Sequence, residues 1–144
     1  MSIAEIAEVL GGRKTFKQSV KSSGDLATSI RAGLPATIIN VLADRLTMHR
    51  TDVAKRLGIP QRTLTRRLSQ HARLTTDESD RAARMARIIA LAVDILGSNE
   101  KASSWLRTPN RALSSKTPLD EIGTDPGYRS VEDVLYAIAY GMYS

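Results

Sequence analysis

The 144-residue chain contains no cysteine and only two histidines. Disulfides and thiolate-held metals are thereby excluded, and two isolated imidazoles cannot cage an ion, so neither a metal nor a cofactor is expected of the chain itself. Long apolar runs are just as scarce. Every run, Ile88 to Val93 included, falls far short of the roughly 20 residues a helix needs to cross a bilayer, and no membrane partner is expected. The opening "MSIAEIAEVLGG" carries acidic residues and no basic one ahead of its apolar positions. That is the wrong pattern for a secretory leader, and a cytoplasmic address is expected. Alternating runs of valine, threonine and aromatics are missing, and with them the signature of strands. No internal repeat, low-complexity tract or long linker is present.

What is there is leucine, isoleucine and alanine at helical spacing, which predicts an all-α protein. Ile3, Ile6, Val9 and Leu10 share one face of a helix stopped by Gly11-Gly12. The following "RKTFKQSVKSSG" is polar and basic enough for a loop or a poorly ordered arm, leaving the order of Arg13 to Gly24 open. "DLATSIRAG" predicts a short helix ending at Gly33, and "PATIINVLADRL" another that buries Ile38, Ile39, Leu42 and Leu46. Thr75-x-x-Glu78 has the spacing of a capping box and opens a long helix from Thr76 to Leu96, with Met85, Ile88, Ile89, Ala92, Val93 and Leu96 as its apolar stripe. "NEKASSWLR" predicts a further helix, broken at Thr108-Pro109-Asn110. Thr117 caps a single turn begun by Pro118, and "TDPG" reads as a turn by composition. Ser130 with Asp133 then opens a last helix burying Val131, Val134, Leu135, Ile138 and Ala139. The expected division runs between residues 1–74, basic and DNA-binding, and residues 75–144, nearly neutral and helical.

The net charge of +6 is concentrated. Arg45 to Arg73 hold eight basic residues against one acid, Asp52, whereas the other 115 residues hold 13 basic and 14 acidic groups. A phosphate-facing surface needs such a concentration, because each neutralised phosphate releases condensed counterions; the alternative is a merely solvated basic face. The same stretch contains "TDVAKRLGIPQRTLTRRLSQ", which has the small residue, turn glycine and apolar locks of a helix-turn-helix: Ala54, Gly58, Val53, Leu57, Ile59 and Leu64. One position departs from the pattern. Arg67 stands where such motifs commonly have an apolar residue, and Leu68 is expected to bury its side chain instead. With a recognition helix beginning at Gln61, the residues Gln61, Arg62, Thr65 and Arg66 are placed to reach base edges in a major groove. Arg50, Lys55, Arg67 and Arg73 suit phosphates. A single such module buries too little surface for firm specificity, so a dimer on paired half-sites is the natural geometry.

No catalytic constellation accompanies this motif. His49 and His71 lie in basic surroundings, and the pairs Asp77-Glu78 and Glu132-Asp133 occupy first turns of expected helices, where carboxylates stabilise the helix dipole. The glycine pairs lack the strand context of a phosphate-binding loop. The chain is not expected to be an enzyme.

"VLGG", "AGLP", "GIPQRTLTRRL", "LTTDESDRAARMARIIALAVDILG", "KASSWLRTPNRALSSKTPLDEIGT" and "VEDVLYAIAYGMYS" together resemble the Xre/MbcA/ParS antitoxins over nearly the whole chain. The most specific pieces are Glu78-Ser79-Asp80-Arg81, the Trp105-Leu106 to Pro109-Asn110 turn, and Tyr140-Gly141. The resemblance implies an Xre-like helix-turn-helix half packed with a helical toxin-binding half. The partner implied is a RES-domain toxin that consumes NAD⁺ or transfers ADP-ribose, held inactive within a hetero-oligomeric complex containing an antitoxin homodimer. The NAD chemistry would belong to that partner. Tyr140, Gly141, Met142 and Tyr143 would block the toxin's active-site cleft, and a helix ending in tyrosines, glycine and methionine suits an apolar-walled pocket. The alternative is that Tyr140 packs on the protein's own core. Arg107, Asn110 and Arg111 form a second candidate contact surface, although Asn110 could serve only to cap its turn. Family members also bind operator DNA and repress their own operon. A free-standing dimeric helix-turn-helix regulator is the competing reading.

Overall fold

The computed structural model describes residues 1–141. Among these the protein is helical throughout, without a strand: two isolated bridge pairs, Pro35 with Arg73 and Asn110 with Lys116, are its sole β-type contacts. The chain divides into two compact units, Met1–Arg87 and Ile88 onward, and the dividing point falls inside one long helix.

The first unit begins with α1 (Ile3–Val9), whose capping box pairs Ser2 with Glu5. The segment after it, which the sequence left open as loop or unordered arm, is folded. A left-handed Gly11 leads into a single 3₁₀ turn, Gly12–Lys14, and Phe16 is buried behind it. A capping box of Ser22 and Asp25 then starts α2 (Ser23–Ala32), two residues before "DLATSIRAG" begins. Gly33, at φ +90°, turns the chain where a Cβ would stand 2.4 Å from the Leu74 carbonyl oxygen. Next come α3 (Ile38–Leu46), α4 (Arg50–Arg56) and α5 (Gln61–Ser69). Ile38, Ile39, Leu42 and Leu46 are buried as their spacing predicts, joined by Leu10, Leu34, Leu57, Ile59 and Leu64 in one core. The long helix α6 spans Thr76–Leu96 as expected. Its capping box is formed: the Glu78 amide donates to Thr75 Oγ1 at 3.2 Å, and the Thr75 amide to Glu78 Oε1 at 2.8 Å.

The second unit adds α7 (Asn99–Arg107), α8 (Pro118–Glu121) and α9 (Asp125–Ala139) to the end of α6. Ser98 caps α7 and Thr117 caps α8. The start of the last helix differs from expectation, because "TDPG" is no turn. Thr124 is the cap, its hydroxyl accepting from the Gly127 amide, and proline and glycine lie in the first turn of α9. Composition points to a turn, but the glycine serves close packing here: a Cβ on Gly127 would stand 2.0 Å from the Glu121 carbonyl oxygen. Ser130 therefore sits inside the helix, donating to the Pro126 carbonyl. Val131, Val134 and Leu135 are buried as predicted, but Ile138 is half-buried and Ala139 exposed.

Candidate nucleic-acid and partner interfaces

The helix-turn-helix is built by burial and then held by two polar contacts from α6, with a third from α6 to the segment before α3. Val53, Ala54, Leu57, Ile59 and Leu64 all lie inside, and Gly58 takes the left-handed φ of +77° that the turn requires. Arg81 Nη1 donates to the Leu57 carbonyl at 3.0 Å, tying the turn to α6. Ser79, fully buried, accepts at its Oγ from the Leu34 amide at 2.8 Å. Glu78 receives the guanidinium of Arg67. Burial penalises the Glu78 charge, yet hydrogen bonds from the Thr75 amide and from Arg67, with the Arg67 charge beside it, outweigh that cost and lower its pKa. The Glu78-Ser79-Asp80-Arg81 run at the head of α6 is thus largely a brace for the helix-turn-helix and the segment before it.

This brace explains the departure at Arg67. The expected exchange, Leu68 inward in place of Arg67, does not occur: Leu68 is half-buried, and Arg67 takes the inward position with its side chain only 15% exposed. A cation can occupy an apolar locking position here because its stem packs and its charge is met by a carboxylate.

The remaining residues expected at DNA are presented outward. Gln61, Arg62, Thr65 and Arg66 are all exposed, at offsets of one, four and five that keep them on one face of α5, while Leu64 and Arg67 hold the opposite side. Arg50 and Lys55 on α4 are exposed as well. Arg67 is not brought to this face. Arg73 is exposed overall, but its Nη1 donates to the Gly33 carbonyl at 2.7 Å. His49 and His71 are exposed at helix and loop boundaries.

In the second unit the end of α9 leaves Tyr140 75% exposed, so it does not pack on the protein's own core. Gly141, at φ +69°, ends the helix; Met142 and Tyr143 lie outside the described residues. Tyr136, not singled out from the sequence, is 42% exposed one turn before Tyr140, and the four-residue spacing of the two tyrosines is the signal that could have found it. Arg107 and Arg111 are exposed, with Arg107 Nε donating to the buried Ser103 hydroxyl at 3.2 Å. Asn110 holds its own turn together: its side chain accepts from the Ala112 amide and its amide donates to the Lys116 carbonyl, both at 2.9 Å. Among the described residues no cluster of metal-ligating side chains forms, and no helix is long and apolar enough to cross a membrane.

A braced helix-turn-helix with an outward cationic face, followed by a second helical unit, defines a two-part helix-turn-helix protein. Comparison with known proteins specifies both parts. Residues 25–87 match the antitoxin Xre-like helix-turn-helix domain, and residues 91–141 match the antitoxin Xre/MbcA/ParS C-terminal toxin-binding domain. The chain is 38% identical to the antitoxin Xre of Pseudomonas putida over 120 residues, covering 83% of this chain and 74% of that one. It is 34% identical to the antitoxin Xre of Photorhabdus laumondii over 125 residues (85% and 84%), and 32% identical to that of Yersinia enterocolitica over 120 residues (83% and 81%). The chain belongs to the Xre antitoxin family, a non-enzymatic class, as the missing catalytic constellation led us to expect.

Proposed function

We propose that this protein is the antitoxin of a type II pair that acts in the cytoplasm. It binds a RES-domain toxin, which consumes NAD⁺ or transfers ADP-ribose, and holds it inactive. It also binds operator DNA and represses its own operon. Residues before 75 read the DNA, with Gln61, Arg62, Thr65 and Arg66 at base edges and Arg50 and Lys55 on phosphates. Within residues 75–144, the part beyond the head of α6 holds the toxin, with Tyr140, Gly141, Met142 and Tyr143 entering its cleft and Arg107 and Arg111 forming a second contact. A homodimer inside the toxin–antitoxin complex places two recognition helices on paired half-sites.

The observation that carries this reading is the joining, in one chain, of an outward cationic face on α5 to an exposed tyrosine at the end of the segment matched by the toxin-binding domain. Large aromatic side chains are the commonest anchors of protein interfaces, and leaving one 75% exposed costs apolar contact that a partner can restore. The test is truncation before Gly141, with the neighbouring toxin co-expressed. Growth arrest together with an unchanged shift of operator DNA is the expected result; a truncated chain that still neutralises would contradict the role of the C-terminal end.

A further inference from the structure

The basic loop between α1 and α2 is not used by any contact described so far, and it precedes the segment matched by the helix-turn-helix domain, which starts at residue 25. From Gly11 to Ser22 the chain carries Arg13, Lys14, Lys17 and Lys21 and no acidic residue. Within residues 1–87 these four positive charges and the net +7 of residues 45–73 account for more than the whole excess. The rest of that unit carries four basic and seven acidic residues. The cationic surface of the unit therefore comes from two segments, and one of them lies outside the helix-turn-helix.

The loop is also built to hold its charges outward. Phe16, the one aromatic residue of the unit, is buried. Its amide donates to the Gly12 carbonyl at 2.9 Å, and the Thr15 hydroxyl donates to the Leu10 carbonyl. At the other end, the Lys21 amide donates to the Asp25 carboxylate at 3.0 Å. Between these anchors all four cationic side chains are exposed; Arg13, Lys14 and Lys17 form no ion pair among the described residues, while the Lys21 charge acts on the Asp25 carboxylate beside it. That sets them apart from Arg67 and Arg81, whose guanidinium groups are spent inside the unit. Helix α1, which leads into the loop, packs on α3, and α3 packs on α4. The loop is therefore connected through packed helices to the DNA-reading motif rather than trailing from it.

We propose that the Arg13–Lys21 loop is a second, sequence-independent DNA contact that grips the phosphate backbone while α5 reads bases. The inference rests on the DNA-reading function proposed above. An anchored loop loses little entropy on docking, and an unpaired ammonium facing a phosphate releases counterions without first breaking an ion pair.

The test uses the full chain and two duplexes of equal length, one carrying the DNA immediately upstream of its own coding region and one of mixed sequence. Affinities are followed from low to high salt for the wild type, for Lys14→Ala/Lys17→Ala/Lys21→Ala, for the matching three Lys→Arg changes, and for Arg62→Ala/Arg66→Ala. The alanine triple is expected to lower the slope of log affinity against log salt by roughly 2 to 3 on both duplexes, at about 0.9 per lost phosphate contact. It should leave the ratio between the duplexes unchanged, and the arginine triple should restore the slope. A wild-type slope in the alanine triple overturns the proposal, as does an affinity loss without a slope change, which would indicate altered folding. Loss of toxin association with an intact slope would make the loop a protein interface and would equally overturn it. Failure of the DNA-reading function itself looks different: the wild type would prefer neither duplex, and Arg62→Ala/Arg66→Ala would change nothing.

Discussion

Residues 1–87 carry 16 basic and eight acidic side chains and one aromatic, Phe16, whereas residues 88–144 carry five basic and seven acidic side chains and the other five aromatics. The two units meet within a single helix, yet they are equipped for opposite kinds of recognition. Net +8 on one unit favours a polyanion, recognised at long range and weakened by salt. Net −2 with exposed Tyr136 and Tyr140 on the other favours a protein surface, recognised at short range by apolar burial and little affected by salt. The difference also shows in how arginine is used. In the first unit it faces outward (Arg62, Arg66), braces the fold from inside (Arg67) and ties the turn to α6 from the surface (Arg81). In the second, exposed Arg107 reaches back along its own helix to Ser103, and exposed Arg111 follows the turn held by Asn110.

The largest expected effect tests whether Arg67 belongs to the brace or to the DNA face. Arg67→Ala leaves Glu78 charged and nearly buried, and should cost about 3 kcal/mol of stability, read as a lowered urea midpoint. Arg67→Met with Glu78→Leu should recover most of that loss. If Arg67→Ala melted like the wild type but lost DNA affinity, Arg67 would belong with Arg62 and Arg66. Next in size is the recognition face. Arg62→Ala or Arg66→Ala should each remove ~1–3 kcal/mol of base discrimination in a gel shift against single-base operator variants, with toxin association unchanged. For the second unit, Tyr140→Ala should weaken toxin association by about 2 kcal/mol, measured by calorimetry, while thermal stability moves by less than about 0.5 kcal/mol. Tyr136→Ala should follow with a smaller loss if the exposed tyrosines act as one surface.

The smallest effect concerns pH. The Glu78 pKa is lowered from 4.5 in the folded chain. Its contribution is therefore fully present above the unfolded-state value and is lost as pH falls through the folded value. Glu78→Gln should be less stable than the wild type at neutral pH, and the gap should narrow as the pH falls below 4.5 and through the lowered folded-state value. A gap constant down to pH 2 would mean that the ion pair contributes nothing to folding.

Most of the architecture was legible in the sequence because helical spacing, capping hydroxyls and proline positions are local signals. Thr75 with Glu78 marked the start of α6, and Thr117 with Pro118 marked α8. What was not legible depended on residues far apart in the chain. Glu78 looks like half of a capping box and is one, but its second task, receiving Arg67 from α5, appears only when two helices are brought together. Gly127 follows Pro126 as in a turn, and only the proximity of the Glu121 carbonyl shows why a helix needs glycine there. The loop after α1 looks unordered by composition because its order depends on burying one side chain, Phe16. Helical spacing alone marks the outward residues of α5, whereas Tyr136 is not legible as exposed because an aromatic at helical spacing reads first as core.

Whether the second unit, rather than the helix-turn-helix, sets the protein's task is read by purifying the chain, tagged at its N-terminus, from cells carrying its neighbouring genes and identifying by mass spectrometry what co-elutes in high salt. High salt strips partners held by the cationic unit and spares those held by apolar burial. A stoichiometric RES-domain protein, silent until released and NAD-consuming afterwards, is the result expected here. A lone dimer that still shifts DNA would contradict it.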